Sequence, residues 1–298
     1  MEAIGMRANA IVFSYGSKED VEYYSSLAER IPIERMVLVV GGDFSDEYIS
    51  SLSRKSANLK IIFERERKGK YYSLISGLES LSGFPLFLIS GDVRVDDDIF
   101  SKLVEGISSE KEVVMVKVLP QNRDHLSEKV GEVIWVVHDF ANEFRFRHGM
   151  FFSCGEFQVI SHPFQKMIPP VINEDEYLCE SLSSNGFKLV YRRDISVRNR
   201  VPVSFRGLLT QRIRINIGHL QVAGLRGRTS SLSLNSVKEI GTVCNVLLRI
   251  TIEKPLMLLF LPLAISLEFL SMVLAVIKYK SGKINLAWTI VNTGSQSN

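Results

Sequence analysis

Apolar residues fall in two spacings through the first third of the chain. The runs Ala10–Ser14, Arg35–Val40, Asn58–Phe63 and Phe84–Ile89 are continuous enough to be buried strands. Between them, apolar side chains recur three and four positions apart, as at Val21, Tyr24, Leu27 and Ala28. That spacing predicts helices over Glu19–Arg30, Ser45–Arg54 and Tyr71–Leu81. The alternation predicts an α/β fold with a mostly parallel sheet flanked by helices. Such sheets receive ligands beyond the C-terminal ends of their strands. Here those ends are Ser14–Gly16, Gly41–Asp43, Glu64–Lys70 and Ser90–Asp92.

The middle third is less regular. Val113–Leu119 and Lys188–Tyr191 read as strands, and a helix opened by Asn173, Glu174 and Asp175 continues through Leu178–Leu182. The serine-rich stretch Thr229–Ser236 reads as a linker. It divides a domain over 1–235 from a helical region over 236–298.

From Pro255 to Ile277 the chain is almost wholly apolar, longer than the roughly 20 residues a helix needs to cross a bilayer core. Glu268 interrupts it. A carboxylate at mid-membrane costs about 2.5–3.5 kcal/mol on insertion scales. This side chain is therefore protonated, paired or turned toward protein, or the segment bends at Pro262 and enters partway. The preceding Val243–Ile252 is apolar but carries Arg249, a composition suited to a membrane interface. Arg249 and Lys254 precede the long run, and Lys278, Lys280 and Lys283 follow it. With both flanks basic, a transmembrane and a re-entrant path over about 255–277 are both open.

Composition narrows the class. The 298 residues carry a net charge of only +3, which gives no case for nucleic acid as the main partner. Three widely spaced cysteines, Cys154, Cys179 and Cys244, form neither a disulfide framework nor a zinc site and suit a reducing compartment. Met1–Ala10 holds Glu2 and Arg7 and does not read as a signal peptide. The first element that could enter a membrane therefore follows a folded domain, expected on the cytoplasmic side.

Candidate chemistry lies at three places. Ser90-Gly91-Asp92 ends a predicted strand, where a carboxylate can hold Mg2+ or Mn2+ against a diphosphate. In a plain structural reading it is a strand-to-helix turn, with Asp96–Asp98 capping the next helix. Glu174, Asp175 and Glu176 open a helix, where clustered acids suit a general base but also complement the helix dipole. Gln211 and Arg214 share a helix face that can grip a phosphate or lie near anionic lipid.

Together and in this order, the stretches resemble the family 2 glycosyltransferases of the glycosyltransferase-A fold, in the membrane-attached branch related to cellulose and hyaluronan synthases. The resemblance runs from about Ile11 to Leu220 and on into the apolar segment. Arg67-Lys68-Gly69-Lys70, with Ser73–Leu78, is similar to the family stretch beside the nucleotide. Ser90-Gly91-Asp92 resembles DxD, with Asp92 at the metal-binding position. Glu174-Asp175 resembles the ED motif, whose Asp is the catalytic base. Gln211 to Ile215 resembles QxxRW, and Glu156 sits where relatives carry a Gly-Glu near the acceptor.

The resemblance implies an inverting glycosyltransferase with a divalent cation, a UDP- or GDP-sugar donor and a lipid or glycan acceptor at the cytoplasmic membrane face. Asp175 is the implied base. The implied donor side is Ser14, Asp43, Lys68, Lys70, Gly91, Asp92, Gln211 and Arg214, and the acceptor side Glu156 and Glu174. Three departures stand out: Ser90 replaces the first Asp of DxD, Gly41-Gly42 stands where many relatives have Asp-Asp to read the base, and Ile215 replaces the Trp of QxxRW. Alternatives are a polyprenyl-phosphate sugar synthase and an inactive nucleotide-binding scaffold.

Overall fold

The computed structural model describes residues 8–286 except 67, 109, 123, 166, 167 and 283. Arg67 and Lys283, like Glu2 and Arg7, lie outside the described residues. Four strands build one half of the sheet: β1 (Ala8–Tyr15), β2 (Ile33–Gly41), β3 (Leu59–Glu64) and β4 (Leu86–Ser90). They are joined through α1 (Lys18–Arg30), α2 (Asp46–Ser53) and α3 (Lys70–Glu79). β1 pairs in parallel with β2 and β4, and β2 with β3. Their continuous apolar runs fit a sheet covered on both faces.

The other half changes direction. β5 (Val93–Arg94), α4 (Ile99–Glu105), β6 (Glu112–Pro120), α5 (Leu126–Arg147), β7 (Phe157–Ile160), α6 (Glu174–Ser184) and β8 (Lys188–Asn199) follow in the chain. The sheet has eight strands in the order β3-β2-β1-β4-β7-β6-β8-β5. β7 is antiparallel to β4 and to β6, while β6 and β8 are parallel. The sheet is therefore mixed.

The 22-residue α5 is not predicted by the sequence pattern. Its inward face is not an apolar stripe, because Glu128, Asp139, Asn142, Glu143 and Arg145 are all buried in it. Asp139, Glu143 and Arg145 each meet a partner from elsewhere in the chain. Asp139 accepts from Tyr191 at 2.9 Å and pairs with Lys117 at 3.2 Å, and Arg145 pairs with Glu239 at 2.8 Å.

After β8 come α7 (Phe205–Arg226), α8 (Leu232–Asn235), α9 (Ile240–Glu253), a 3-10 turn at Pro255–Leu259 and α10 (Leu261–Lys280). The linker expected at Thr229–Ser236 is instead packed structure. Thr229 and Ser231 are both 5% exposed, and Arg145 donates to the Ser230 carbonyl at 2.6 Å. A run of small polar residues resembles a linker until buried partners claim its hydroxyls.

α10 lies along α7 and runs in the same direction. Arg212 pairs with Glu268, with one of its two bonds at 3.2 Å, and Asn216 donates to the Ser271 hydroxyl at 2.8 Å. Glu268 is thus paired and turned toward protein. α9 is held in a similar way: Arg249 pairs with Glu143 and stacks 4.1 Å from the Phe140 ring centre.

Removing one partner of a buried ion pair strands the other charge, at a cost of about 3–5 kcal/mol. Glu268→Ala should lower the unfolding free energy by about 3 kcal/mol in denaturant titration, and Arg212→Met with Glu268→Leu should recover most of it. A loss below about 1 kcal/mol would mean the pair behaves as a surface one.

Candidate active site

A cleft of about 1050 Å³ opens over the C-terminal ends of β1, β2, β3 and β4. Its near wall comes from those strand ends and α3, through Ser14, Tyr15, Gly41, Glu64, Lys70 and Ser73. Its far wall comes from α5 and α7, through Ile134, Trp135, His138, Leu208, Gln211 and Arg214. Asp92 sits between the walls, at the turn after β4.

That turn is pinned by the backbone. Gly91 N–H donates to the Phe13 carbonyl at 2.7 Å, drawing the end of β4 against β1. Asp92 is left half-buried in the cleft. Burial raises its carboxyl and the charge of Asp20 adds to this, while Lys70 and Arg214 pull it back. Those cations and Asp92 therefore share one electrostatic neighbourhood. Asp20 itself is taken by Arg94 and Arg200.

The start of α6 carries the three acids to different fates. Glu174 is 2% exposed and holds Lys70 at 2.9 Å. Glu176 is equally buried, accepting from Thr229 at 2.6 Å and Ser230 Oγ at 2.9 Å, with His219 Nδ1 at 2.7 Å. Burial raises its carboxyl, but His219 and the hydroxyl donors outweigh this and bring it down to about 2. Asp175 alone of the three stays half-exposed in the cleft. It packs against the backbone of Gly155, where a Cβ would fall 1.2 Å from its Oδ2. Any larger residue at 155 would displace that carboxylate.

Of the residues singled out from sequence, the cleft gathers Ser14, Lys70, Gly91, Asp92, Glu156, Glu174, Asp175, Gln211 and Arg214. Asp43 and Lys68 are exposed and do not line it. Glu174, expected on the acceptor side, is a buried anchor for Lys70. Glu64, Tyr15 and Ser73, and on the far wall Trp135 and His138, line the cleft without having been singled out. Glu64 and Tyr15 lie on the strand ends where ligands gather, and that position was their signal. Trp135 and His138 sit on α5, which the pattern does not predict.

The cleft contains polar atoms without protein partners. Ser14 Oγ and Glu174 Oε2 are buried and unbonded among the described residues. No group of three or more metal-ligating side chains occurs among the described residues, so a cation would be held by Asp92 with oxygens of a ligand.

The architecture is the glycosyltransferase-A fold. The chain is similar in structure to the mannosyltransferase PcManGT from Pyrobaculum calidifontis, solved in complex with GDP-Man and Mn2+, at a TM-score of 0.61 and 17% identity over 93% of this chain and 88% of that one. A mycobacterial protein of known crystal structure is also similar, at a TM-score of 0.51 and 14% identity over 73% and 75% of the two chains. The sequence matches no protein-family model and no curated protein.

Glu156 offers a pH test. Burial first, and the charge of Asp175 second, push its carboxyl from 4.5 up to about 7. Between these values the folded state keeps a proton that the unfolded chain has lost, so this group's contribution to stability falls as pH rises. The unfolding free energy of the wild type should therefore decline, relative to Glu156→Gln, from about pH 5 to about pH 7. Parallel pH profiles for the two proteins would contradict the assignment.

Proposed function

We propose that this chain is a membrane-associated inverting glycosyltransferase, moving a sugar from a nucleoside-diphosphate sugar to a lipid or glycan hydroxyl at the cytoplasmic face. The observation that carries the proposal is the meeting of Asp92, Lys70, Arg214 and Asp175 in one cleft at the strand ends. The shared fold supports it, since PcManGT was solved with GDP-Man and Mn2+.

Asp175 accepts the proton of the acceptor hydroxyl. The oxygen then bonds to the anomeric carbon from the face opposite the diphosphate, and the bond from that carbon to the phosphate oxygen breaks. Arg214 and Gln211, one helical turn apart on α7, bind the departing diphosphate, and Lys70 adds charge from α3. Asp92 would hold a divalent cation, Mg2+ or Mn2+, whose charge would help neutralise the leaving group. A single protein carboxylate suits a cation that takes most of its ligands from phosphates and water. Ser14 Oγ lies where the ligand can satisfy it. Stabilising the leaving group is the largest contribution expected of such a site.

Asp175→Asn should bind a nucleoside diphosphate normally and lose transfer by about 10²–10⁴-fold in kcat, read as diphosphate release with acceptor present. Near-normal turnover would remove Asp175 as base and favour an acceptor phosphate, which needs none.

Membrane association rests on the exposed apolar face of the C-terminal helices. α9 turns Arg249 inward and leaves Leu247, Leu248 and Ile252 exposed, and α10 exposes Ile265, Phe269, Leu270 and Ile277. α10 is long and apolar enough to cross a bilayer, yet its polar ties to α7 favour lying in the membrane surface. Lys254, Lys278 and Lys280 flank that face and suit anionic headgroups. The full chain should co-sediment with anionic vesicles. Phe269→Glu with Ile252→Glu should weaken this by about tenfold or more, since each apolar side chain withdrawn from lipid forfeits about 1.5–3 kcal/mol. A wild-type chain that stays in the supernatant would refute the membrane reading.

A further inference from the structure

The end of β2 brings no carboxylate to the cleft. Gly41 and Gly42 occupy the turn, and the nearby Asp43 is exposed and outside the lining. The bareness is sterically enforced: a Cβ at Gly41 would fall 2.3 Å from Tyr15 Cδ2, so the edge of the Tyr15 ring occupies that space. The acid comes instead from the neighbouring strand. Glu64 is the register partner of Gly41 across the β2–β3 pair, and it lines the cleft beside Tyr15, Gly69 and Ser73.

Glu64 is held in place there. Ser73 of α3 donates to its Oε2 at 2.8 Å, and the side chain is half-buried. An ionised carboxylate has two oxygens and about four acceptor positions, no donor, and room for a paired interaction beyond Ser73. What it can recognise is thus an edge with two adjacent N–H donors.

Among the common nucleobases, guanine alone has such an edge, with N1–H beside the 2-amino group. Uracil has a single N–H between two carbonyl oxygens, one of which would face the carboxylate. Adenine and cytosine each place one amino group beside a bare ring nitrogen, again an acceptor against an acceptor. We infer that Glu64 reads the nucleobase and selects a guanosine-diphosphate sugar as donor. This rests on the proposed donor role of the cleft and narrows it to one base. Tyr15 lies next to it as an aromatic surface for the base, and Ser73 is the positioning residue that orients the carboxylate.

The test is calorimetric binding of GDP, IDP and UDP to the full chain with Mg2+, in wild type and in Glu64→Gln. IDP matters because it differs from GDP only by the missing 2-amino group. A hydrogen bond to a charged group is worth about 1.5–3 kcal/mol, so GDP should bind wild type about 10- to 100-fold more tightly than IDP. UDP should also bind more weakly than GDP. Glu64→Gln, which keeps an acceptor for Ser73 but loses the paired acceptor, should bring GDP and IDP to within about threefold of each other. Equal binding of GDP and IDP by wild type overturns the inference without any variant, as does a Glu64→Gln protein that keeps the preference. If wild type binds none of the three diphosphates, it is the donor role of the cleft that fails, and the inference falls with it.

Discussion

Glu176 is a carboxylate buried beneath the cleft, and a buried charge persists only when its acceptor positions are filled. Its partners come from two separate places, His219 on α7 and the Thr229–Ser230 turn beyond it. Asn173, just ahead of α6, adds a bond to the Ile215 carbonyl of α7 at 3.0 Å. The start of α6 and the middle of α7 are therefore tied together from below. On α6 the preceding residue is Asp175, and on α7 Arg214 and Gln211 lie five and eight positions before His219. The proposed base and the proposed diphosphate grip keep their separation because a carboxylate that takes no part in the chemistry holds both helices. Glu174 extends the arrangement to α3 through Lys70, so three elements distant in sequence converge on the cleft.

α7 serves a second purpose on its other side. Arg212 lies between Gln211 and Arg214 in sequence and, while it also borders the cleft, it pairs with Glu268 of α10. The helix that carries the diphosphate-binding residues is thus the one on which the apolar C-terminal helix is seated. In the proposed setting, α10 and α9 would rest on the lipid while α7 holds the site at a fixed distance from it. Both helices pack apolar residues such as Val246, Ile250, Ala264 and Leu267 inward, turn Arg249 and Glu268 to protein partners, and still leave large apolar side chains exposed on the other face. Glu268 illustrates what hydropathy alone leaves out. Its charge interrupts a membrane-length run until the partner on α7 is known.

Local pattern was enough where structure is local. The parallel half of the sheet follows from buried apolar runs between amphipathic stretches, and the strand ends follow from it. Asp92, Lys70, Asp175, Gln211 and Arg214 were found because their motifs are short and ordered along the chain. α5 escaped because its buried face is charged, and charge reads as exposure unless Lys117, Arg193, Arg249 and Glu239 are brought against it. Thr229–Ser236 escaped for a related reason, since small hydroxyl residues signal a linker until a buried carboxylate takes them as donors.

Local pattern along the chain therefore sets the alternation of strands and helices, the side of the sheet on which ligands gather, and the chemical types available there. Tertiary structure alone decided which of three neighbouring acids faces the cleft, since Glu174, Asp175 and Glu176 look alike in a linear reading. It also decided that the acid beside Gly41 comes from β3 through strand register, and that Glu268 is an anchor. The physical reason is common to all three: a carboxylate's role is set by its partners. Here those partners, Lys70, Ser73, His219 and Arg212, sit on other elements, and only the folded chain brings them within hydrogen-bonding distance.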